Sequence, residues 1–155
     1  MEIVSRSLAE TADLAAKILA ELAEKGHGNK ATLVALQGDL GSGKTTFVQA
    51  VARTLGIKER VTSPTFVIMK FYWLSKGVAL PTSKATPWKR LIHLDCYRLD
   101  KADDLLHLGW NELAANPENL ILVEWPERVG NLLVSPALKI NFEVVGETAR
   151  KIIYG

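Results

Sequence analysis

The sequence predicts an α/β fold: a mixed sheet with a parallel centre, antiparallel additions and helices on both faces. The first observation is an apolar run at 31–36 that leads through a glycine-rich turn into a helix. The second is a pair of strand-like segments at 90–97 and 120–125, whose apolar runs are typical of buried strands. The third is a pair of strand-like segments at 138–145 and 150–154, where the pattern becomes more antiparallel.

The first half of the sequence predicts two helices around the 31–36 strand. Ser7 and Glu10 form an S-x-x-E capping box, in which each side chain satisfies a backbone N–H at the helix start. Apolar residues then recur at helical spacing until Gly26 ends the helix. A second helix is predicted over 44–55, with Gly56 as its C-terminal cap.

The second half contains shorter predicted elements. Runs of β-branched and aromatic residues indicate strands, and clusters of Gly, Pro, Ser and Thr indicate loops. The elements are a strand at 65–73, a loop at 74–89, a strand at 90–97, a short helix at 101–108 ended by Gly109, a strand at 120–125, a short helix opened by Pro126, and the two final strands.

Composition is that of an ordinary globular chain. With 155 residues, 48% of them hydrophobic and 23% charged, we expect one domain over 1–155. The apolar runs are too short to span a membrane, and the first residues do not resemble a secretory leader. The single cysteine, Cys96, excludes an intramolecular disulfide framework and favours a reduced, cytoplasmic setting. A formal net charge of +2 neither requires nor excludes an RNA-containing partner.

Residues 38–45, GDLGSGKT, match the P-loop pattern G-x-x-x-x-G-K-[ST]. The glycines let backbone N–H groups converge on phosphate oxygens, and the following helix adds its positive N-terminal end. In this pattern Lys44 reaches the β- and γ-phosphates and Thr45 ligates Mg²⁺, while Thr46 is next in line to contact a phosphate. Because a buried strand precedes the motif and a helix follows it, the predicted sheet is P-loop NTPase-like.

A P-loop needs an acidic partner for its metal, and the sequence offers two. Asp95 and Glu124 each end an apolar strand. If these strands lie parallel to the P-loop strand, both carboxylates reach the carboxyl edge of the sheet near the phosphates. Each is a candidate to hold Mg²⁺, directly or through water, or to orient the attacking water. Trp125 follows Glu124 and either stacks in the core or lines the site.

Smaller signals complete the set of candidates. Segment 61–66 lies where P-loop enzymes read the γ-phosphate, so Ser63 and Thr65 are candidates to contact metal, water or phosphate. His93 alternates with apolar neighbours, which predicts a place on the surface of its strand rather than in catalysis. Cys96 has no evident base to activate it and is interpreted as a small buried residue.

Several motifs occur together in a fixed order. The P-loop segment GDLGSGKTTF at 38–47 is followed by VTSPTF at 61–66, HLDCYRL at 93–99, LG at 108–109 and VEWPE at 123–127. The P-loop alone is common to many families, whereas this combination is highly specific. Over nearly its whole length the chain resembles the bacterial TsaE (YjeE) family, the small ATPase of tRNA threonylcarbamoyladenosine biosynthesis.

The resemblance implies a protein that binds ATP with Mg²⁺ and hydrolyses it slowly when alone. Its implied partner is the TsaB–TsaD complex, which transfers a threonylcarbamoyl group to adenosine 37 of tRNAs that read ANN codons. The ATPase does not perform that transfer, and its nucleotide cycle resets or remodels the complex between turnovers. The tRNA is therefore an indirect partner.

Matching positions in the resemblance also imply roles for individual residues. The implied phosphate cradle consists of Gly41, Ser42, Gly43, Lys44, Thr45 and Thr46. Thr45 and Glu124 are the implied Mg²⁺ ligands, and Asp95 is an acid that supports the metal or orients water. With Lys44, these two acids make up the implied catalytic group. Trp125 lies beside Glu124 in the site, and Thr11 in the first helix contacts the nucleotide near its base or ribose.

The loop at 74–89 is longer than this family usually carries between the same strands. The segment 74–90 contains Lys76, Lys84, Trp88, Lys89 and Arg90. Two interpretations stay open for the loop. It is either a tolerated hairpin insertion or a flap that faces a partner or RNA.

The P-loop alone leaves two other functions open. A small-molecule or nucleoside kinase shares the motif, but such kinases usually carry a lid with paired arginines, and the arginines here are scattered. A non-catalytic, nucleotide-gated binding module is the other, although the two acids and the intact Lys44–Thr45 pair favour hydrolysis. The sequence contains no N/T-K-x-D guanine-reading motif, and the preference for ATP comes from the resemblance.

Overall fold

A computed structural model describes residues 1–26, 28–63, 68–76, 78–80, 85–133 and 135–155. The strands are β1 (Glu2–Ser5), β2 (Thr32–Gly38), β3 (Met69–Trp73), β4 (Arg90–Asp95), β5 (Asn119–Glu124), β6 (Leu138–Val144) and β7 (Arg150–Tyr154). The helices are α1 (Leu8–Lys25), α2 (Lys44–Thr54), α3 (Ala102–Leu106) and α4 (Trp110–Ala115), with a 3₁₀ segment at Pro126–Leu132.

The strands form one mixed sheet in the order β1-β7-β6-β2-β5-β4-β3. Strand β2 is parallel to both of its neighbours, β5 and β6, and β5 is parallel to β4. The outer pairings β1–β7, β6–β7 and β3–β4 are antiparallel. The predicted sheet, with its parallel centre and antiparallel additions, is therefore confirmed. Because β2, β4 and β5 run the same way, their carboxyl ends meet at one edge.

Helices cover both faces of this sheet. Helices α1 and α2 pack on one face, and α3, α4 and the 3₁₀ segment pack on the other. The alternation of β5 divides its side chains between them: Leu120 and Leu122 join the α1/α2 cluster, and Ile121 and Val123 join the α3/α4 cluster. No helix within the described ranges is long and apolar enough to cross a membrane.

The start of α1 follows the predicted capping box, with one change of partner. Ser7 Oγ accepts a hydrogen bond of 3.1 Å from the Glu10 N–H. Glu10 Oε2 in turn accepts from the Arg6 N–H at 2.7 Å, one residue before the cap. Both side chains therefore satisfy backbone donors at the helix start, and this fixes the first turn of α1 beside the end of β1.

Two elements were not predicted. Strand β1 pairs antiparallel with β7 at the sheet edge, so its four residues are held by a partner at the far end of the chain. The second unpredicted element is helix α4. Gly109 was predicted only to end a helix, but with φ of 81° it directly precedes α4. The predicted strand at 65–73 is found from Met69 onward, and 64–67 lie outside the described residues.

The described part of the long loop packs onto the protein. Leu80 and Trp88 are both 2% exposed and belong to the α1/α2 core cluster. Trp88 Nε1 donates to Thr32 Oγ1 at 2.9 Å, which attaches the loop to the first residue of β2. An isolated antiparallel bridge joins Ala79 and Ala85. These contacts agree with the hairpin-insertion interpretation for the part of the loop that they include.

Candidate nucleotide-binding site

The P-loop connects the end of β2 to the start of α2. Gly38 has φ of 137°, and a Cβ there would lie 2.4 Å from the Phe142 carbonyl oxygen, so this position requires glycine. Gly43 has φ of 107° and immediately precedes α2. No described side chain caps the first N–H groups of α2. The helix therefore presents uncapped donors and its positive end at the carboxyl edge of the sheet.

Lys44 lies across this loop. Its Nζ donates to the carbonyl oxygens of Gly38 at 2.5 Å and Asp39 at 2.9 Å. The same atom lies 4.4 Å from the centroid of the Trp125 ring, a cation–π distance. Burial lowers the pKa of the Lys44 ammonium below its usual value, and the nearby Glu124 carboxylate acts in the opposite direction. The loop thus holds a largely buried cation where phosphate charge would lie.

Glu124 joins the P-loop to the neighbouring strands. Its Oε1 accepts a hydrogen bond of 3.0 Å from Thr45 Oγ1, and the same oxygen lies 2.8 Å from His93 Nε2. Glu124 is 3% exposed and His93 is 0% exposed. The prediction that His93 lies on the strand surface is therefore wrong: its neighbours are apolar because both faces of β4 are covered.

Asp95 lies directly beside Glu124 in the parallel register of β4 and β5. Its Oδ1 accepts from the Tyr97 N–H at 2.9 Å, and Ser63 Oγ donates to its Oδ2 at 3.4 Å. Two adjacent buried carboxylates repel each other, so the pair favours a nearby cation. Thr65, the other candidate from the switch-like segment, lies outside the described residues.

Trp125 is held in an unusual backbone conformation next to Glu124. Its φ of 56° lies in the left-handed region, which is uncommon for a large side chain. The ring packs against Tyr97 with centroids 5.0 Å apart and the two ring planes tilted by 53°, and the Arg128 guanidinium lies 5.6 Å from the Tyr97 ring. The turn after β5 therefore aims Trp125 back over the P-loop, where its ring meets Lys44.

The ten residues with an implied role as phosphate cradle, metal ligand, catalytic group or nucleotide contact all line one cavity of about 520 Å³, and Ser63 lines it as well. The shared residues are Thr11, Gly41, Ser42, Gly43, Lys44, Thr45, Thr46, Asp95, Glu124 and Trp125. Thr11 lies at the end of the cavity formed by α1, with its Oγ1 2.7 Å from Ser5 Oγ. Arg150 also lines the cavity, and its Nη2 donates to the Gly41 carbonyl oxygen at 3.4 Å.

The oxygen atoms at this edge suit a hard cation. No group of three His, Cys, Asp or Glu residues capable of holding a metal occurs in the described ranges. A magnesium ion that also binds nucleotide phosphates needs only one or two carboxylates, because phosphate and water oxygens complete its shell. Thr45 donates its hydrogen to Glu124, which leaves its lone pairs for a cation. This donor set therefore fits Mg²⁺.

Cys96 takes no part in this site. It follows Asp95 but belongs to the α3/α4 cluster on the opposite face and is fully buried. Burial raises the pKa of its thiol to about 12, so the thiol stays protonated near neutral pH. This confirms the interpretation of Cys96 as a buried structural residue.

Comparison with known proteins finds one family over nearly the whole chain. The model of the family "Threonylcarbamoyl adenosine biosynthesis protein TsaE" matches residues 5–152. A tRNA threonylcarbamoyladenosine biosynthesis protein TsaE from Treponema pallidum is 34% identical over 152 residues, covering 98% of each chain. The Bacillus subtilis protein of the same name is 36% identical over 139 residues, covering 90% of this chain and 75% of its own length. The crystal structure of Bacillus subtilis YdiB superposes with a TM-score of 0.69 at 28% identity, covering 98% of this chain and 82% of that one.

Proposed function

The chain belongs to the TsaE family of tRNA threonylcarbamoyladenosine biosynthesis, and from this premise we propose that it is a Mg²⁺-dependent ATPase. In this proposal it binds ATP, hydrolyses it slowly when alone, and serves the modification of adenosine 37 in tRNAs that read ANN codons. The observation that carries the proposal is the cavity in which the P-loop, Lys44, Asp95 and Glu124 meet.

The proposed chemistry follows from the charges of these residues. Lys44 balances the negative charge of the β- and γ-phosphates, and the uncapped N–H groups at the start of α2 bind phosphate oxygens. Thr45 and Glu124 hold Mg²⁺, which when bound neutralises the charge that develops on the phosphates. Asp95 orients the attacking water from the strand beside Glu124.

The rest of the nucleotide extends toward α1 in this proposal. Thr11 lies in the same cavity as the P-loop and is 8% exposed, which supports a contact near the base or ribose. Trp125 closes the phosphate side through its contact with Lys44. The preference for ATP in this proposal comes from membership of the TsaE family.

The proposed partner is the TsaB–TsaD complex, through which the chain reaches tRNA. The enzyme of this proposal does not transfer the threonylcarbamoyl group itself; its nucleotide cycle resets or remodels that complex between turnovers. Because the partners modify tRNA, we place this activity in the cytoplasm.

The test is phosphate release from MgATP by the chain alone and with the TsaB–TsaD complex and tRNA added. We expect slow release that increases when the partners are present and that is lost in a Lys44→Ala variant. A rate of phosphate release that does not change when the partners are added would contradict the proposed role of the TsaB–TsaD complex. Transfer of the γ-phosphate to an added small molecule or nucleoside would favour a kinase instead.

A further inference from the structure

His93 is a buried polar residue that has no role in the proposed chemistry described above. It lies near the carboxyl end of β4, is 0% exposed, and faces the α1/α2 side together with Asp95. Its Nε2 lies 2.8 Å from Glu124 Oε1 on the next strand. The ring therefore touches one proposed Mg²⁺ ligand without lining the cavity itself.

The direction of this hydrogen bond follows from the acceptor. An ionised carboxylate oxygen only accepts, so Nε2 carries the hydrogen and donates to Glu124. Thr45 Oγ1 donates to the same oxygen, Oε1, at 3.0 Å. Within the described part of the chain, no group donates a hydrogen bond to Glu124 Oε2. The two donors thus fix the carboxylate by one oxygen and leave the other for a ligand.

Packing alone does not account for a histidine at this place. His93 Nδ1 is buried and has no hydrogen-bond partner among the described residues, which is unfavourable. A leucine would fill similar space without a buried polar atom, and the β4 neighbours Leu91 and Leu94 are of that kind. What the imidazole adds over leucine is the N–H bond to Glu124.

We infer that His93 is a positioning residue that acts through Glu124, holding its carboxylate in the orientation that serves the metal. This inference rests on the proposed function. Thr45, the other donor to Oε1, also serves the metal in that proposal, whereas His93 does not line the nucleotide cavity. His93 is therefore the donor dedicated to Glu124, and partners of this kind commonly affect metal affinity and turnover.

Three substitutions separate the N–H group from the volume of the ring. His93→Gln keeps an N–H donor at about the reach of Nε2, His93→Asn carries its donor at the level of Nδ1, and His93→Leu has none. We expect the Gln variant to stay within about 3-fold of the original turnover. The Asn and Leu variants should lose about 10- to 100-fold in kcat and need more Mg²⁺ for half-maximal activity.

Two further readouts distinguish positioning from a merely structural role. Binding of a fluorescent ADP analogue in EDTA should be unchanged in all three variants, since no metal is then involved, and thermal unfolding should show folded protein. The double variant His93→Leu/Glu124→Ala should be no slower than Glu124→Ala alone, because His93 acts through that carboxylate. Equal losses of kcat in the Gln and Leu variants would overturn the inference. So would a double variant whose kcat falls below that of the original protein by the product of the two single losses.

The tautomer of His93 gives a readout that needs no ATP turnover. Nitrogen NMR of the nucleotide-free chain should show a hydrogen on Nε2. If MgATP is turned over but Nε2 carries no hydrogen, this inference fails and the proposed function stands. If the Nε2–H is present but the chain neither binds nor hydrolyses MgATP, the failure lies in the proposed function.

Discussion

Two cavities of similar size lie at opposite edges of the sheet, and they differ in chemistry rather than volume. The proposed nucleotide site measures about 520 Å³, and a cavity near the amino end of β2 and helix α4 measures about 580 Å³. The charged residues that line the first are Arg6, Lys44, Asp95, Glu124 and Arg150. Lys30 is the one charged residue among the described residues lining the second. A converging set of charges, not space, distinguishes a candidate site here.

Helix direction explains part of this difference. The first cavity is lined by the N-terminal residues of α1 and α2, and the positive ends of both helix dipoles favour anions there. The second is lined by Gly26, which follows the C-terminus of α1, where the dipole has the opposite sign. The same helix therefore makes one edge of the sheet attractive to phosphate and the other edge less so.

The lysines of the two cavities provide the largest expected contrast. Lys44→Ala should lower MgATP turnover by about 1,000-fold or more, because it removes the cation that balances the phosphate charge. Lys30→Ala is the matched control and should leave both affinity and turnover within about 2-fold. Isothermal titration with a non-hydrolysable ATP analogue, together with phosphate release, measures both. Similar losses in the two variants would remove the distinction between the cavities.

The carboxylates give the next largest effect. Glu124→Ala and Asp95→Ala should lower kcat by about 100- to 1,000-fold while weakening nucleotide binding less, because they act on the metal and water rather than on the base. Glu118→Ala is a suitable control, since this acid pairs with Lys89 on the surface and does not line the site. Weakened binding with normal maximal turnover would contradict these roles.

A pair of tryptophans gives a smaller contrast. Trp125→Ala should lower turnover by about 20-fold, because Lys44 loses an aromatic face in a partly buried setting. Trp125→Phe keeps a ring and should retain most of the activity. Trp110→Phe, in the other cavity, should reduce the free energy of unfolding but leave turnover per folded molecule unchanged. Urea unfolding and phosphate release separate these effects, and a Trp125→Ala variant with full activity would contradict the role of the ring.

The fold was predictable from the sequence where local patterns and tertiary packing agree. The apolar 31–36 run, the glycine turn and the cap at Ser7 correctly predicted β2, the P-loop and α1. Strand β1 was not predictable in this way, because its four residues are held by pairing with β7 at the other end of the chain. Helix α4 was missed because a glycine was taken only as a stop signal, although glycine also precedes helices.

The motif residues to which the resemblance gives a role line one cavity, whereas Thr65 lies outside the described residues. The buried position of His93 beside Glu124 was not predictable, because alternation with apolar residues does not show whether the second face of a strand is covered. The available signal was its spacing: His93 and Asp95 are two residues apart on a strand and therefore share a face. Because Asp95 was predicted to reach the site from the end of its strand, the same spacing indicates that the side chain two residues earlier, His93, also approaches it.

Cys96, the residue after Asp95, gives the smallest expected effect. It tests whether water reaches the face of the sheet that α3 and α4 cover. Burial among the α3/α4 cluster raises the pKa of the Cys96 thiol to about 12, against 9.0 for the ordinary group. Above pH 9 the unfolded chain releases this proton while the folded chain keeps it, so the folded state binds more protons and its stability falls as pH rises. Relative to Cys96→Ala, the free energy of unfolding should fall by about 1.4 kcal/mol per pH unit above pH 9 and run parallel below pH 8. Urea unfolding of both proteins between pH 7 and 10.5 measures this difference. Parallel curves over the whole range, or rapid alkylation of the native thiol at pH 8, would mean that water reaches Cys96.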